Sequence, residues 1–116
     1  MRRGDVYDAR LDPTEGSEQA GTRPVIVVSR DAINEASPVV LAVPCTRLRS
    51  GRRVYQSQVR LSAGDGGLEA DSVAMCEQVR ALAKKRLSQR RGSLSEVAIR
   101  SINHALLVAL DLVDQP

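Results

Sequence analysis

A polar, glycine-flanked stretch, Gly16-Ser17-Glu18-Gln19-Ala20-Gly21-Thr22, runs directly into Arg23-Pro24-Val25-Ile26-Val27-Val28. Four consecutive β-branched residues are stiff at χ1 and favour extended backbone. An unbroken apolar run of this length fits a strand buried on both faces, here Pro24 to Ser29. Arg23 therefore stands at the mouth of a buried strand, where a guanidinium is costly unless something pairs with it. A second apolar run, Val39 to Val43, ends in Pro44-Cys45-Thr46 and brings a hydroxyl to a similar position. One guanidinium and one hydroxyl at two strand mouths point to a site for an oxyanion or phosphate.

The other elements are read from periodicity and punctuation. Gly4 to Leu11 alternates as a strand with Tyr7, Ala9 and Leu11 on one face, and Asp12-Pro13 to Gly21 is loop. Asp31 to Ala36 forms a helical turn that Pro38 ends. Val39 to Leu48 is a strand, followed by a turn around Ser50-Gly51. Val54 to Leu61 is a strand with Tyr55, Val59 and Leu61 sharing a face; Ala63 to Gly67 turns, and Ser72 to Leu82 is a fifth strand. Ser93 with Glu96 reads as a capping box opening a helix. Its stripe is Leu94, Val97, Ala98, Ile102, Ala105, Leu106, Ala109, Leu110 and Val113, with His104 outside it. The stripe covers an open end of the sheet or a second subunit. Strands followed by one terminal helix predict an α+β, mostly β fold: a small, strongly bent barrel in a single domain, residues 1–116.

Composition narrows the function classes. The only aromatic residues are Tyr7 and Tyr55, which disfavours base stacking on aromatic platforms. Cys45 and Cys76 lack CxxC partners and His104 is the only histidine, so no tetrahedral metal site is expected and the cysteines read as small buried hydrophobes. No run approaches the roughly 20 apolar residues of a membrane helix. The first residues lack the apolar core of a signal peptide, so a cytoplasmic location is expected. The net charge is only +3, but it is unevenly spread. No acidic residue falls between Glu35 and Asp65, where Arg47, Arg49, Arg52, Arg53 and Arg60 lie. None falls between Glu77 and Glu96, where Arg80, Lys84, Lys85, Arg86, Arg90 and Arg91 lie. Two acid-free basic blocks point to a polyanion, with nucleic acid the natural candidate.

Several short motifs, in order along nearly the whole chain, then carry a family resemblance. Arg3-Gly4-Asp5-Val6-Tyr7, Asp12-Pro13, Gly16-Ser17-Glu18-Gln19-Ala20-Gly21 and Arg23-Pro24 resemble the opening of MazF/PemK toxins. Pro44-Cys45-Thr46, Asp71-Ser72-Val73 and Glu77-Gln78-Val79-Arg80 are similar to later parts of the same pattern. The resemblance implies an SH3-like barrel of five to seven strands with a C-terminal helix, and a homodimer. It also implies a sequence-specific endoribonuclease acting on single-stranded RNA, usually mRNA, and an antitoxin whose acidic tail blocks the RNA groove. Neither metal nor cofactor is implied: the ribose 2′-hydroxyl attacks the adjacent phosphate and leaves a cyclic phosphate.

The catalytic residues implied are Arg23, Thr46 and Glu18. Arginine side chains hold their proton too tightly to serve easily as bases, so stabilisation of charge on the phosphorane oxygens is the leading role for Arg23, with Thr46 donating its hydroxyl to the same phosphate. An ion pair of Arg23 with Glu18 or Glu77 is the structural alternative. Glu18 has three readings: the base, the group that orients Arg23, or a contact to RNA bases. Ser17 and Gln19 suit base edges, Gln78 and Arg80 the groove wall, and Arg47, Arg49 and Arg53 are expected to bind the RNA as well. Where some relatives carry histidine before the arginine, this chain has Thr22. Two other functions stay open: a toxin of the same fold that inhibits a protein target such as DNA gyrase, and an RNA-binding module without catalysis.

Overall fold

The β-branched run lies in the middle of a sheet. The computed structural model describes residues 1–113, and the last three residues of the expected 1–116 domain lie outside the described residues. In chain order the elements are β1 (Asp5–Arg10), β2 (Thr22–Val27), the short helix α1 (Asp31–Ala36), β3 (Val39–Arg47), β4 (Gln58–Leu61), β5 (Ser72–Met75), β6 (Arg80–Ala83), β7 (Leu87–Ser93) and helix α2 (Glu96–Ala109). The strands run antiparallel in the order β4-β5-β3-β2-β1-β7, and β6 pairs with the first half of β3. Seven strands and one long terminal helix agree with the expected mostly-β architecture. No helix among the described residues is long and apolar enough to cross a membrane.

Both faces of the central strands are buried, as the unbroken apolar run requires. Ile26 and Val43 turn to a main core with Val6, Cys45, Ala74 and the α2 residues Ala98, Ile102 and Ala105. Val25 and Ala42 turn the other way, to a smaller cluster with Ala9, Leu11 and Leu82 that Tyr7 and Leu87 flank. Cys45 and Cys76 are buried and free. Burial pushes both thiols up to about 12, so they act as apolar packing groups rather than nucleophiles.

The edge strands β4 and β7 share no ladder, so the sheet does not close on itself. A 3₁₀ turn at Asp65–Gly67, reached from β4, packs against β7 at that seam. Gly66 and Gly67 have φ of +62° and +75°, and Gly92 of β7 lies directly against them. A Cβ at Gly67 would collide with the backbone carbonyl of Arg91, and one at Gly66 would meet Val6 and Leu94 side chains.

Five sequence expectations change. The fifth strand is two, β5 and β6, separated by a 3₁₀ turn at Cys76–Gln78, so Cys76 sits in a turn. The strand expected over Val54 to Leu61 begins only at Gln58. Tyr55 is 54% exposed and does not share a face with Val59 and Leu61, because the chain turns before β4. Strand β7 was not expected, since its sequence Leu-Ser-Gln-Arg-Arg-Gly-Ser has no apolar alternation. It is an edge strand, where charged side chains are compatible with one-sided pairing. Finally Ser95, not Ser93, caps α2: its Oγ accepts the Ala98 N–H at 3.2 Å. The Ser93 hydroxyl instead donates to Asp5 at 2.6 Å. The stripe on α2 also divides, for Val97 and Leu110 are 66% and 56% exposed.

Asp5 anchors the start of the sheet to its end. Its side chain, 7% exposed, accepts from the Ser93 hydroxyl, the Arg2 N–H and the Arg90 guanidinium. Burial works to push this carboxyl up, but the three donors together outweigh it and hold it below the usual carboxylate value. A depressed carboxyl stabilises the fold above its unfolded pKa of about 4, and that stability disappears as the pH falls through the lower folded value. Asp5→Asn should therefore cost roughly 1.5–3 kcal/mol at pH 7. It should also make the fall of melting temperature below pH 4 shallower than in the wild type, as a thermal-denaturation series over pH 2–7 will read. Gly67→Ala should cost roughly 2–4 kcal/mol, combining left-handed backbone strain with overpacking. Gly51→Ala, at φ +79° but with open space around it, should cost only about 1–2 kcal/mol from backbone strain. Equal shifts of the two urea midpoints would contradict the seam.

Candidate active site

The pairing of β2 with β3 sets the site. Val27, Ile26 and Val25 face Ala42, Val43 and Pro44 in turn. Two residues further along the same register, Arg23 comes opposite Thr46. Directly opposed residues project to the same side of a sheet and touch. The Arg23 Nη1 donates to Thr46 Oγ1 at 3.2 Å, and Arg23 Nε donates to the Ala20 carbonyl at 2.8 Å. Neither Glu18 nor Glu77 pairs with Arg23, which makes no ion pair among the described residues. The structural salt bridge considered from the sequence is thus not formed. Two guanidinium donors are used in aiming the group, and the outer face of the fork stays open to an anion. Thr46 accepts from Arg23, so its own O–H is available to donate.

The pair lies in an open cleft of about 300 Å³. Arg47 and Arg49 of the first basic block also line it, with Arg91 from β7 and the carboxylates of Asp8 and Glu69. Four guanidinium groups against two carboxylates leave the cleft electropositive. Arg91 Nε donates to Asp8 at 2.7 Å and its Nη1 to Glu69 at 3.2 Å, which raises its pKa further and commits it to the cleft wall. Arg47 reaches the exposed Glu69 only at 4.0 Å. Asp8, Glu69 and Arg91 are site-lining residues that the sequence alone does not mark. Arg91 was visible only as part of a basic block, and Asp8 had no signal that separated it from surface charge.

A second concavity, of about 460 Å³, is lined by Ser17, Glu18, Gln19, Pro44, Gln78 and Arg80. Glu18 therefore does not stand beside Arg23: its Oε1 accepts the Glu15 N–H at 2.8 Å within its own loop. Arg80 donates to the Leu11 carbonyl at 3.2 Å. The Gln78 carboxamide is turned to the loop, accepting from Gln19 N at 2.8 Å and donating one N–H to the Ser17 carbonyl at 3.4 Å. Arg53 lines neither concavity; it lies over the Tyr55 ring, 4.9 Å from its centre. Much of the second basic block is likewise committed to the protein. Arg86 donates to the Arg10 and Asp12 carbonyls, and Arg90 to Asp5 and Ser93. Among the described residues no three His, Cys, Asp or Glu side chains converge as metal ligands would.

Comparisons with known proteins place the chain in a family. The family model for PemK-like, MazF-like toxins of type II toxin–antitoxin systems matches residues 2–110. The chain is 38% identical over 112 residues to endoribonuclease MazF of Staphylococcus saprophyticus, covering 97% of this chain and 92% of that protein. Among solved structures it is similar to a mycobacterial endoribonuclease in complex with its cognate antitoxin, at TM-score 0.82, 27% identity and 99% of each chain. It also shares its fold with MazF of Deinococcus radiodurans, at TM-score 0.80, 24% identity and 96% of each chain. With the family model spanning nearly the whole length, the chain belongs to the PemK/MazF family of toxins.

Proposed function

We propose that this chain is an endoribonuclease toxin that cleaves single-stranded RNA by internal transfer, acting in the cytoplasm as a homodimer and restrained by an antitoxin. The observation that carries the reading is the Arg23–Thr46 pair in an electropositive cleft, a guanidinium and a hydroxyl 3.2 Å apart with no carboxylate neutralising the arginine. The scissile phosphate binds across the two. The ribose 2′-oxygen loses its proton and attacks phosphorus, forming the new P–O bond. The P–O5′ bond breaks, and the leaving 5′-oxygen takes up a proton. The products carry a 2′,3′-cyclic phosphate and a 5′-hydroxyl. Arg23, already aimed by the Ala20 carbonyl, stabilises the negative charge that builds on the non-bridging oxygens, and Thr46 adds a second donor. This preorganisation matters because donors fixed in advance need no reorientation in the transition state.

The second concavity suits the nucleotides flanking the cut. Ser17 and Glu18 bring hydroxyl and carboxylate groups to its wall beside Gln19, residue types that read splayed base edges. Glu18 keeps two of its three readings, base contact and proton acceptor, and its place away from Arg23 favours contact. Arg47 and Arg49 track the backbone phosphates on the other side of Thr46. An antitoxin segment rich in Asp and Glu fits the same electropositive cleft and would compete with RNA for it. Electrostatic steering then makes both interactions weaken with salt.

Arg23→Ala should lower the cleavage rate of a single-stranded RNA by about 100- to 1,000-fold, and Thr46→Val by about 10- to 100-fold, with melting temperatures close to wild type. Wild-type fragments should carry 5′-hydroxyl ends and cyclic phosphates, and a chelator should leave the rate unchanged. Fragments with 5′-phosphate ends would rule out the internal transfer. An RNA left intact, with salt-sensitive binding only, would point to a binding module instead.

A further inference from the structure

We infer that Gln78 is a positioning residue: its carboxamide fixes the loop that aims Arg23, and it acts through that loop rather than by touching RNA. The inference deepens the proposed ribonuclease function and rests on it for its kinetic arm alone. It begins with an irregularity in the sheet. β3 pairs with β5 at Cys45 opposite Ala74 and with β6 at Ala42 opposite Arg80. Between those pairs, β3 has only Val43 and Pro44, while the facing chain has residues 75–79. The excess is taken up by the 3₁₀ turn Cys76–Gln78. Pro44 has no N–H to give a ladder, so the interruption falls where a regular pairing would have been incomplete in any case.

The turn is held firmly at both sides. Cys76 is fully buried, and its N–H donates to the Ser57 carbonyl at 3.1 Å. The next side chain, Glu77, accepts from the buried Gln58 amide at 2.7 Å. Gln78 is thereby carried on a rigid step out of the sheet, facing the loop between β1 and β2. Its oxygen meets the Gln19 N–H and its nitrogen the Ser17 carbonyl, and only one orientation of the amide satisfies both.

The loop tip has no other tether. From Thr14 to Gln19, every other hydrogen bond among the described residues stays within the loop: Thr14 to Asp12, Glu15 N to the Glu18 carboxylate, and Glu18 N to the Glu15 carbonyl. Gln19 is followed by Ala20, whose carbonyl holds Arg23 Nε. That peptide is anchored on its far side by the Gly21 N–H, which donates to the Asp12 carboxylate at 3.1 Å, so Gln78 fixes the near side. The chain of contacts therefore runs from Gln78 through Gln19 and Ala20 to Arg23 and Thr46. A side chain whose donor and acceptor are both engaged on the loop backbone is fitted to hold geometry.

Two variants test this. Gln78→Met keeps the length and loses both bonds; Gln78→Glu keeps an acceptor for the Gln19 N–H. Hydrogen exchange of the free protein should show protection at the Gln19 amide lost in Gln78→Met and retained in Gln78→Glu, with the melting temperature little changed. On a single-stranded RNA oligonucleotide, Gln78→Met should lower kcat by about 10-fold or more, with KM within about 3-fold, because a displaced reacting group costs rate rather than ground-state binding. Gln78→Glu should recover most of that loss in kcat. Unchanged Gln19 protection in Gln78→Met overturns the positioning role whatever the RNA does. So does a rise in KM at constant kcat, most severe for the anionic Gln78→Glu, which is the mark of direct RNA contact. A wild type that protects Gln19 but cleaves no RNA would sink the ribonuclease reading and leave the tether standing.

Discussion

The register of β2 on β3 is the constraint on which the rest of this molecule depends. Side chains alternate faces along a strand, so a slip of one residue would turn every core side chain of β2 to the wrong layer. The layers here are unforgiving: Val25 and Ile26 turn to separate buried clusters. Packing on both faces thus locks the register, and the locked register brings Arg23 opposite Thr46 at the end of the ladder. A site built as the continuation of a core inherits the core's rigidity without being buried itself. That is how an open cleft holds an arginine in one orientation with no carboxylate partner.

The arginines divide by what they satisfy. Arg86, Arg90 and Arg91 bond to carbonyls and carboxylates of β1, the following loop and the seam. They thereby pin an edge strand that buries little apolar surface of its own. Arg23, Arg47 and Arg49 stand in the cleft, where Arg47 has only a long, exposed contact to Glu69 and Arg23 has a hydroxyl and a carbonyl. The net charge of +3 therefore understates the local field, because four guanidinium groups face two carboxylates in the cleft. The same division accounts for the seam, where Gly66, Gly67 and Gly92 allow backbone to lie on backbone and Arg91 bridges Asp8 to Glu69 across it.

Much of this was legible in the sequence wherever the signal was local. Four β-branched residues in a row announced the central strand, and Asp31 to Ala36 formed the helical turn expected of it. Arg23 and Thr46 were legible as a pair because each ends an apolar run that has only one way to pack. What escaped was set by partners distant in sequence. β7 has no apolar alternation, since its stability comes from pairing with β1. The turn at Cys76–Gln78 looked like continuous strand, since nothing in Cys-Glu-Gln reveals that the facing strand carries a proline. Ser93 resembled a cap by spacing, but Asp5, far away in sequence, claims its hydroxyl. Gln78 lines the second concavity as expected of a wall residue, but its bonds to the β1–β2 loop depend on a loop conformation that spacing does not encode.

The central claim is that Arg23 and Thr46 act on one phosphate as a unit, and a double-mutant cycle on the cleavage rate tests it most directly. The four proteins are wild type, Arg23→Ala, Thr46→Val and the double variant, assayed on one RNA oligonucleotide under single-turnover conditions. Groups serving the same phosphate should be non-additive, with the double variant slower than Arg23→Ala by much less than Thr46→Val is slower than wild type, a coupling of about 0.5–3 kcal/mol. Losses that simply multiply would show that the two side chains act independently, and would contradict the account.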